Sequence, residues 1–358
     1  MNAETRNQYP TIRPEQWQQL GYLDSDSLGP STLSKDVHPL LSFSWNGREK
    51  WDCQHSGLTE ERTHELLLPG LRLVSEFMLS PPGIAHFHAI FYGHRQELRD
   101  LTTQLGGKHK QYSFHPLEGL DPNTAREEVT TALMRLERVI KFEFADRSTD
   151  TIFRTGGARA MTRATRNIEE INILDDERCR GIASRITIDP RFVAALEEAH
   201  SRPDNTGYVL SVNFNFAKNT YHELQHVAAL AVNSDVLSQL KQMQSMSVQE
   251  RLALGPLESP EPYLEGQQIA ELGCSGEQLM FGGKIDWEFG NVDAPTWIYD
   301  WPSLLNVEQF QRGPGPEMTA KRYLVSMRYM RRVQQQAFVS PPFQLFHILS
   351  YLSFRHSI

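Results

Sequence analysis

The sequence predicts an α+β fold, with strands and helices interspersed along the chain. Three observations carry this. Over Tyr208–Phe216, Leu210, Val212, Phe214 and Phe216 alternate with Ser211, Asn213 and Asn215, which is the period of a strand with one packed and one polar face. Asp121-Pro122 and Asp189-Pro190 each read as a helix N-cap followed by proline at the first helical position. The segment from Thr220 to Val232 carries Leu224, Val227, Ala228, Leu230, Ala231 and Val232, so it is apolar almost all round, as in a helix buried inside a domain.

In chain order, roughly the first 60 residues are rich in Pro, Ser, Asp and Gly, with isolated anchors at Trp45 and Trp51, and read as a loop-rich arm on the main body. Leu66 to Leu79 is the first dense apolar segment, ended by Ser80-Pro81-Pro82-Gly83, and Ile84 to Tyr92 is expected as a strand. Asp121-Pro122 opens a helix through Leu136, and Val139 to Ala145 follows as a strand. Asp146 to Gly157 is polar and turn-rich and marks the best boundary. Beyond it Ile171 to Leu174 and Arg185 to Ile188 are short strands, and Asp189-Pro190 starts a helix to about His200. The Tyr208–Phe216 strand is joined by Ala217-Lys218-Asn219 to the apolar helix, which stops near Asn233. A polar stretch and a Gly255-Pro256 to Pro262 breaker lead to a helix over Gln267–Met280, stopped by Phe281-Gly282-Gly283.

The chain has 358 residues, a net charge of −8 and a pI near 5.9, with 39% apolar and 22% charged residues. These are soluble globular values with room for a real core. The mild acidity argues against a nucleic-acid partner; the one basic stretch, Arg154, Arg159, Arg163 and Arg166, reads as a solvated face beside Glu169 and Glu170. Cys53, Cys179 and Cys274 are too scattered for a disulfide framework or a Cys-x-x-Cys knuckle. No apolar leader and no run of about 20 apolar residues is present, so a cytoplasmic location with no membrane partner is expected.

The chemistry lies in the apolar helix. His222 and His226 are four apart, so on a helix they project about 40° from one another, one turn apart, and both imidazoles can reach one ion. Buried polar groups are costly unless paired, hydrogen-bonded or metal-bound. Glu223 stands beside the first histidine, where its carboxylate can take a proton from a water on that ion. The structural alternative is a capping box, Thr220 with Glu223 three residues on, which would leave the histidines as polar core residues.

His222, Glu223 and His226, in His-Glu-Leu-Gln-His, resemble the HExxH helix of the zincin metallopeptidases. The resemblance implies a mixed sheet over a buried active-site helix, a second, mostly helical part supplying the third ligand, a zinc cofactor, Glu223 as general base, and hydrolysis of amide bonds. It also implies that the third ligand is a nearby His or Asp, or a Glu on a later helix as in the gluzincins. No histidine follows His226 until His347, so the nearby-histidine arrangement fails and the glutamate arrangement survives. Glu271 is favoured because small neighbours, Ala270 and Gly273, let its helix come close; Glu277 and Glu265 are the alternatives. The pattern Glu271-x-Gly273-x-x-x-Glu277 followed by Phe281-Gly282-Gly283 also resembles poorly characterised fungal HExxH proteins. The division that follows is a 1–147 N-terminal region, a 148–335 zincin-like metal-binding core and a 336–358 C-terminal tail.

Other candidates are weaker. His86 and His88, on the expected strand with His94 just beyond, share a face but have no acidic residue at close spacing, which favours a structural or substrate-side role. His64-Glu65 is followed by leucines and is not a second motif. Tyr299, Tyr323, Tyr329 and His347 are candidates to stabilise a developing oxyanion. Trp287, Trp297 and Trp301 read as core or lid packing, and Arg322 to Arg332 as a helix with a basic face. The expected activity is a zinc metallohydrolase, specifically a metallopeptidase, with a peptide or small-molecule substrate. A metal-dependent enzyme on a small biosynthetic intermediate and a non-catalytic metal-binding protein are the alternatives. Two imidazoles and a carboxylate also suit iron(II).

Overall fold

A computed structural model describes residues 31–45, 48–98, 112–117, 119–155, 158–165, 169–176, 179–201, 206–247, 249–250, 262–264, 271–286, 297–299, 322–324, 329–330 and 333–335. The helices are α1 (Glu60–Leu79), α2 (Pro81–Tyr92), α3 (Pro122–Leu136), α4 (Thr151–Thr155), α5 (Arg191–His200), α6 (Thr206–Ala231), α7 (Ser234–Ser245) and α8 (Leu272–Phe281). The strands are β1 (Ser44–Trp45), β2 (Arg48–Glu49), β3 (Trp51–Asp52), β4 (His94–Glu97), β5 (Tyr112–His115), β6 (Ile140–Phe144) and β7 (Ala160–Ala164). They continue as β8 (Glu170–Ile171), β9 (Gly181–Ile182), β10 (Ser184–Ile188), β11 (Tyr263–Leu264), β12 (Lys284–Asp286), β13 (Trp297–Tyr299) and β14 (Arg322–Leu324).

The architecture is mixed α/β. A four-stranded sheet runs β3-β6-β10-β7, with β3 and β10 both parallel to β6 and β7 antiparallel to β10 at one edge. Its alternate residues Phe142, Phe144, Ile186 and Ile188 are buried, and Trp51 stacks on Phe142 at 4.5 Å between ring centres. Smaller sheets, β11-β5-β4 and β12-β13-β14, flank it. The central sheet joins strands from both sides of the expected 147/148 division, and one core cluster contains residues from Leu33 to Val333. The expected 336–358 tail lies outside the described residues. No helix among the described residues is long and apolar enough to cross a membrane.

Helix α6 is the centre of the molecule, with β7 and β10 on one side and α1, α2, α5 and α8 packed around the rest. It corrects the sequence expectation most sharply. Tyr208–Phe216 is not a strand, and Ala217-Lys218-Asn219 is not a connection: both are turns of one continuous helix starting at Thr206. The alternation misleads because Ser211, Asn213 and Asn215 are buried along with their apolar neighbours. Asn215 Nδ2 donates to the Ser211 carbonyl at 2.9 Å, and Asn219 Nδ2 to the Asn215 carbonyl at 2.7 Å. These bonds, one turn back along the helix, let amides sit in a packed interior. Gly70 of α1 makes room for the Phe216 ring; a Cβ there would lie 2.6 Å from Phe216 Cδ1.

Ile84–Tyr92 is likewise helical, within α2, so His86 and His88 do not share a face. Ser80 ends α1 and caps α2: its Oγ donates to the Phe77 carbonyl at 2.8 Å and accepts from the Gly83 N–H at 3.3 Å. Pro81 and Pro82 fill first-turn positions where no N–H is needed. The breaker is thus also a helix start. Helix α3 begins under the Asp121 cap as expected and ends at Leu136, β6 and β10 lie where expected, and α5 runs to His200. Of Ile171–Leu174 only Ile171 is in a strand, and Arg322–Leu324 is a strand rather than the start of a helix.

Candidate metal centre

His222, Glu223 and His226 lie deep in α6, well past its start, so Thr220 is a helix-interior residue and no capping box exists there. His222, Glu223 and His226 offer donor atoms all within 4.8 Å of one another. Their side chains are 17%, 9% and 16% exposed, which places the group at a surface that solvent reaches rather than in the dry core.

Glu271 completes the group. The sequence expectation put it inside a helix from Gln267; instead it is the N-cap of α8, with extended backbone, and residues 265–270, including Glu265, lie outside the described residues. As a cap its carboxylate turns back over the first turn, where Oε2 accepts the Cys274 N–H, leaving Oε1 facing α6. Glu271 Oε1 lies 3.1 Å from His222 Nε2 and 3.2 Å from His226 Nε2. Donors held 2.0–2.1 Å from one tetrahedral ion stand about 3.3 Å apart, so this spacing fits a shared divalent cation.

The approach of α8 depends on glycine. A Cβ on Gly273 would lie 2.5 Å from the Cδ2, Cε1 and Nε2 atoms of His222, and one on Gly276 would lie 3.1 Å from both Gln225 Cγ and His86 Nδ1. The helix closes at Gly282, whose φ of +79° is the left-handed stop expected of the Phe-Gly-Gly sequence.

Glu277, the alternative third ligand, plays another part. It is fully buried on the far side of the His222 ring, where its Oε1 accepts from His222 Nδ1 at 2.7 Å and its Oε2 accepts from the Ile285 N–H at 2.6 Å. Lys218, one turn before His222, stands 3.7 Å from the same carboxylate and donates to the Ile285 carbonyl at 3.0 Å. With Nδ1 turned to Glu277, Nε2 is the ring atom that faces Glu271 and would meet an ion, the outer arrangement that metal-ligating histidines require. Composition alone does not disclose Lys218 and Glu277; the Lys218–His222 spacing of one helical turn carries the signal once α6 is known to be continuous.

Electrostatics follow the geometry. Burial works against ionising Glu271, but His222 and His226 overcome it and hold the carboxyl well below its usual range. Burial likewise opposes charge on Glu277, and Lys218 and His222 outweigh it, keeping that carboxyl low. For His222 burial favours the neutral ring, yet Glu271 and Glu277 prevail and lift it to about 9. Among the described residues Glu271 and Glu223 form ion pairs with histidines and with no Lys or Arg. The cluster therefore carries an excess of negative charge that suits a cation.

His86 is buried beside the centre, its Nδ1 2.8 Å from Gln225 Oε1, while Gln225 Nε2 donates to the Tyr221 carbonyl at 3.2 Å. His88 pairs with Glu128 at 2.9 Å, away from His86. Tyr329 packs on Phe214 in the core, with ring centres 6.1 Å apart. Tyr299 and Tyr323 lie on β13 and β14, and His347, Trp287 and Trp301 lie outside the described residues. Edge strand β7 touches the centre from the other side: Thr162 Oγ1 donates to the Glu223 carbonyl at 3.0 Å. Cys274, not singled out by the sequence, offers its sulfur within 4.8 Å of donor atoms of both His222 and Glu271.

The chain matches no protein-family model, no curated protein and no solved structure.

Proposed function

We propose that this chain is a zinc-dependent hydrolase of the zincin type, cleaving amide bonds, with His222, His226 and Glu271 as ligands and Glu223 as general base. The observation that carries it is the meeting of both Nε2 atoms on one Glu271 oxygen, at 3.1 and 3.2 Å, with Glu223 beside them on the same helix. A zinc ion held there supplies Lewis acidity, lowering the pKa of water and polarising a carbonyl.

The chain's own groups do the rest. The Glu223 carboxylate accepts a proton from the attacking water and passes it to the departing amine nitrogen. Glu277 and Lys218 fix the orientation and tautomer of His222. The peptide reading draws support from β7, which among the described residues is an edge strand next to Glu223: its outer side offers backbone groups with which an extended substrate could pair as an added strand.

Elemental mass spectrometry of the native chain and of a His222→Ala, His226→Ala double variant is the first test. About one zinc per chain, lost in the variant, supports the centre; native protein that neither contains nor takes up zinc overturns it. Glu223→Gln is then expected to keep its metal and lose at least 100-fold in peptide hydrolysis. Hydrolysis of a small amide with no peptide cleavage would retain the chemistry and replace the substrate class, and iron in place of zinc would replace the cofactor.

A further inference from the structure

Two overlapping donor sets share His222: one with Glu223 and His226, the other with Glu271 and Cys274. We propose that Cys274 is a fourth protein donor to this centre, able to take the coordination position that a reacting water needs and so to hold the ion in a closed, resting form. The inference rests on the metal centre proposed above and concerns its regulation.

Cys274 is three residues beyond the N-cap Glu271, in the first turn of α8. Its own N–H is held by Glu271 Oε2, and the residue is 2% exposed, with its sulfur near the cluster rather than out in solvent. Gly273, between them, brings α8 so near that a Cβ would lie 2.5 Å from the His222 ring. The result is a sulfur, an imidazole nitrogen and a carboxylate oxygen all within 4.8 Å of one another. Rotation about the single Cys274 side-chain torsion can shorten this toward the roughly 3.5 Å expected between sulfur and nitrogen ligands of one tetrahedral ion.

Two histidines, a carboxylate and a thiolate would make a four-donor set of the kind that closes structural sites, whereas three donors leave a position open. In closing, the metal–sulfur bond forms and the thiol proton leaves to solvent. In opening, water or substrate oxygen replaces sulfur and the thiol regains a proton; no oxidant or reductant is involved. A soft sulfur donor also tilts the centre toward zinc and cobalt over magnesium and calcium.

Cobalt(II) is the probe. Its absorption spectrum is recorded with the native chain, with a Cys53→Ser, Cys179→Ser variant that leaves Cys274 as the sole thiol, and with Cys274→Ser and Cys274→Ala. A thiolate-to-cobalt charge-transfer band is expected in the first two and should vanish in the last two while one cobalt stays bound. Acetohydroxamate should then perturb the visible cobalt bands of the Cys274 variants at a concentration at least 10-fold lower than for the native chain. Bound cobalt without that band in the native chain, or with a band that persists in Cys274→Ala, overturns the fourth donor and leaves the hydrolase proposal standing. Failure of the native chain, first stripped of metal, to bind cobalt at all overturns both. The spectrum of the Cys53→Ser, Cys179→Ser variant decides even if a Cys274 variant fails to fold.

Discussion

Gly273 and His222 are in face-to-face contact: a single added methyl group on the glycine would stand 2.5 Å from three atoms of the imidazole ring. In an unhindered helix, Gly→Ala stabilises by about 0.5–1 kcal/mol. Here the clash decides the sign. Gly273→Ala is expected to destabilise by roughly 1–3 kcal/mol through overpacking, and to weaken metal binding at least 10-fold because His222 or α8 must shift. Urea unfolding of the metal-free chain and competition with a chelator measure the two effects separately. An alanine variant that is more stable and binds metal normally would show that the contact relaxes freely.

Glu277 supports His222 and offsets Lys218 at once. Glu277→Gln keeps the volume but removes the charge, so metal affinity should fall about 10- to 100-fold, and stability by roughly 3–5 kcal/mol because the ammonium is left buried without a counter-charge. Adding Lys218→Met should recover much of the stability and little of the affinity. Recovery of both would mean that Glu277 acts on the fold and not on His222.

The pH dependence of stability has two limbs readable from residues far from the metal centre. His38 accepts the Leu40 N–H through Nδ1 at 3.1 Å, and burial together with Lys50 brings its pKa from 6.5 down to about 4. Between those values the unfolded chain binds a proton that the folded one refuses, so stability falls as pH drops from 6.5 toward 4. Burial brings Lys50 from 10.5 down to about 8, against a pull upward from Glu137. Between about 8 and 10.5 the unfolded state again holds more protons, so stability rises with pH in that window. His38→Asn should flatten the acid limb and Lys50→Met the alkaline one in urea titrations at stepped pH.

Thr162 ties the edge strand to the helix at Glu223. Thr162→Val removes the 3.0 Å bond to the Glu223 carbonyl at nearly constant volume and should cost about 1 kcal/mol of stability, with metal content unchanged. Loss of metal in that variant would place β7 among the supports of the ligand set itself.

The sequence indicated which side chains meet more readily than the backbone that presents them. The meeting of His222, Glu223 and His226 was readable because helical spacing sets which side chains meet, whereas Glu271 was named for its small neighbours and reaches the histidines from an N-cap, not from the helix interior expected. Asp-Pro marked the starts of α3 and α5 as a local signal, though Pro190 is itself the N-cap of α5. The first half of α6 was not readable: an Asn in a strand's polar face and an Asn bonded one turn back in a buried helix look alike until the surrounding helices are in place. Ile84–Tyr92 failed for a similar reason, since a buried helix as apolar as α2 shows little periodicity. Glu277 could not be told from a ligand because the choice depends on which side of one imidazole ring it reaches, a tertiary fact.

Ser80 joins α1 to α2 with no intervening linker, so the angular phase of α2 is set by the corner itself. Each residue added there would turn the helix by about 100° and swing His86 away from Gln225, its partner 2.8 Å off on the helix that carries His222 and His226. Length variation and inserted tags should therefore be excluded from this corner, whereas an inserted residue in an exposed turn such as that at Gly119 would disturb no such phase.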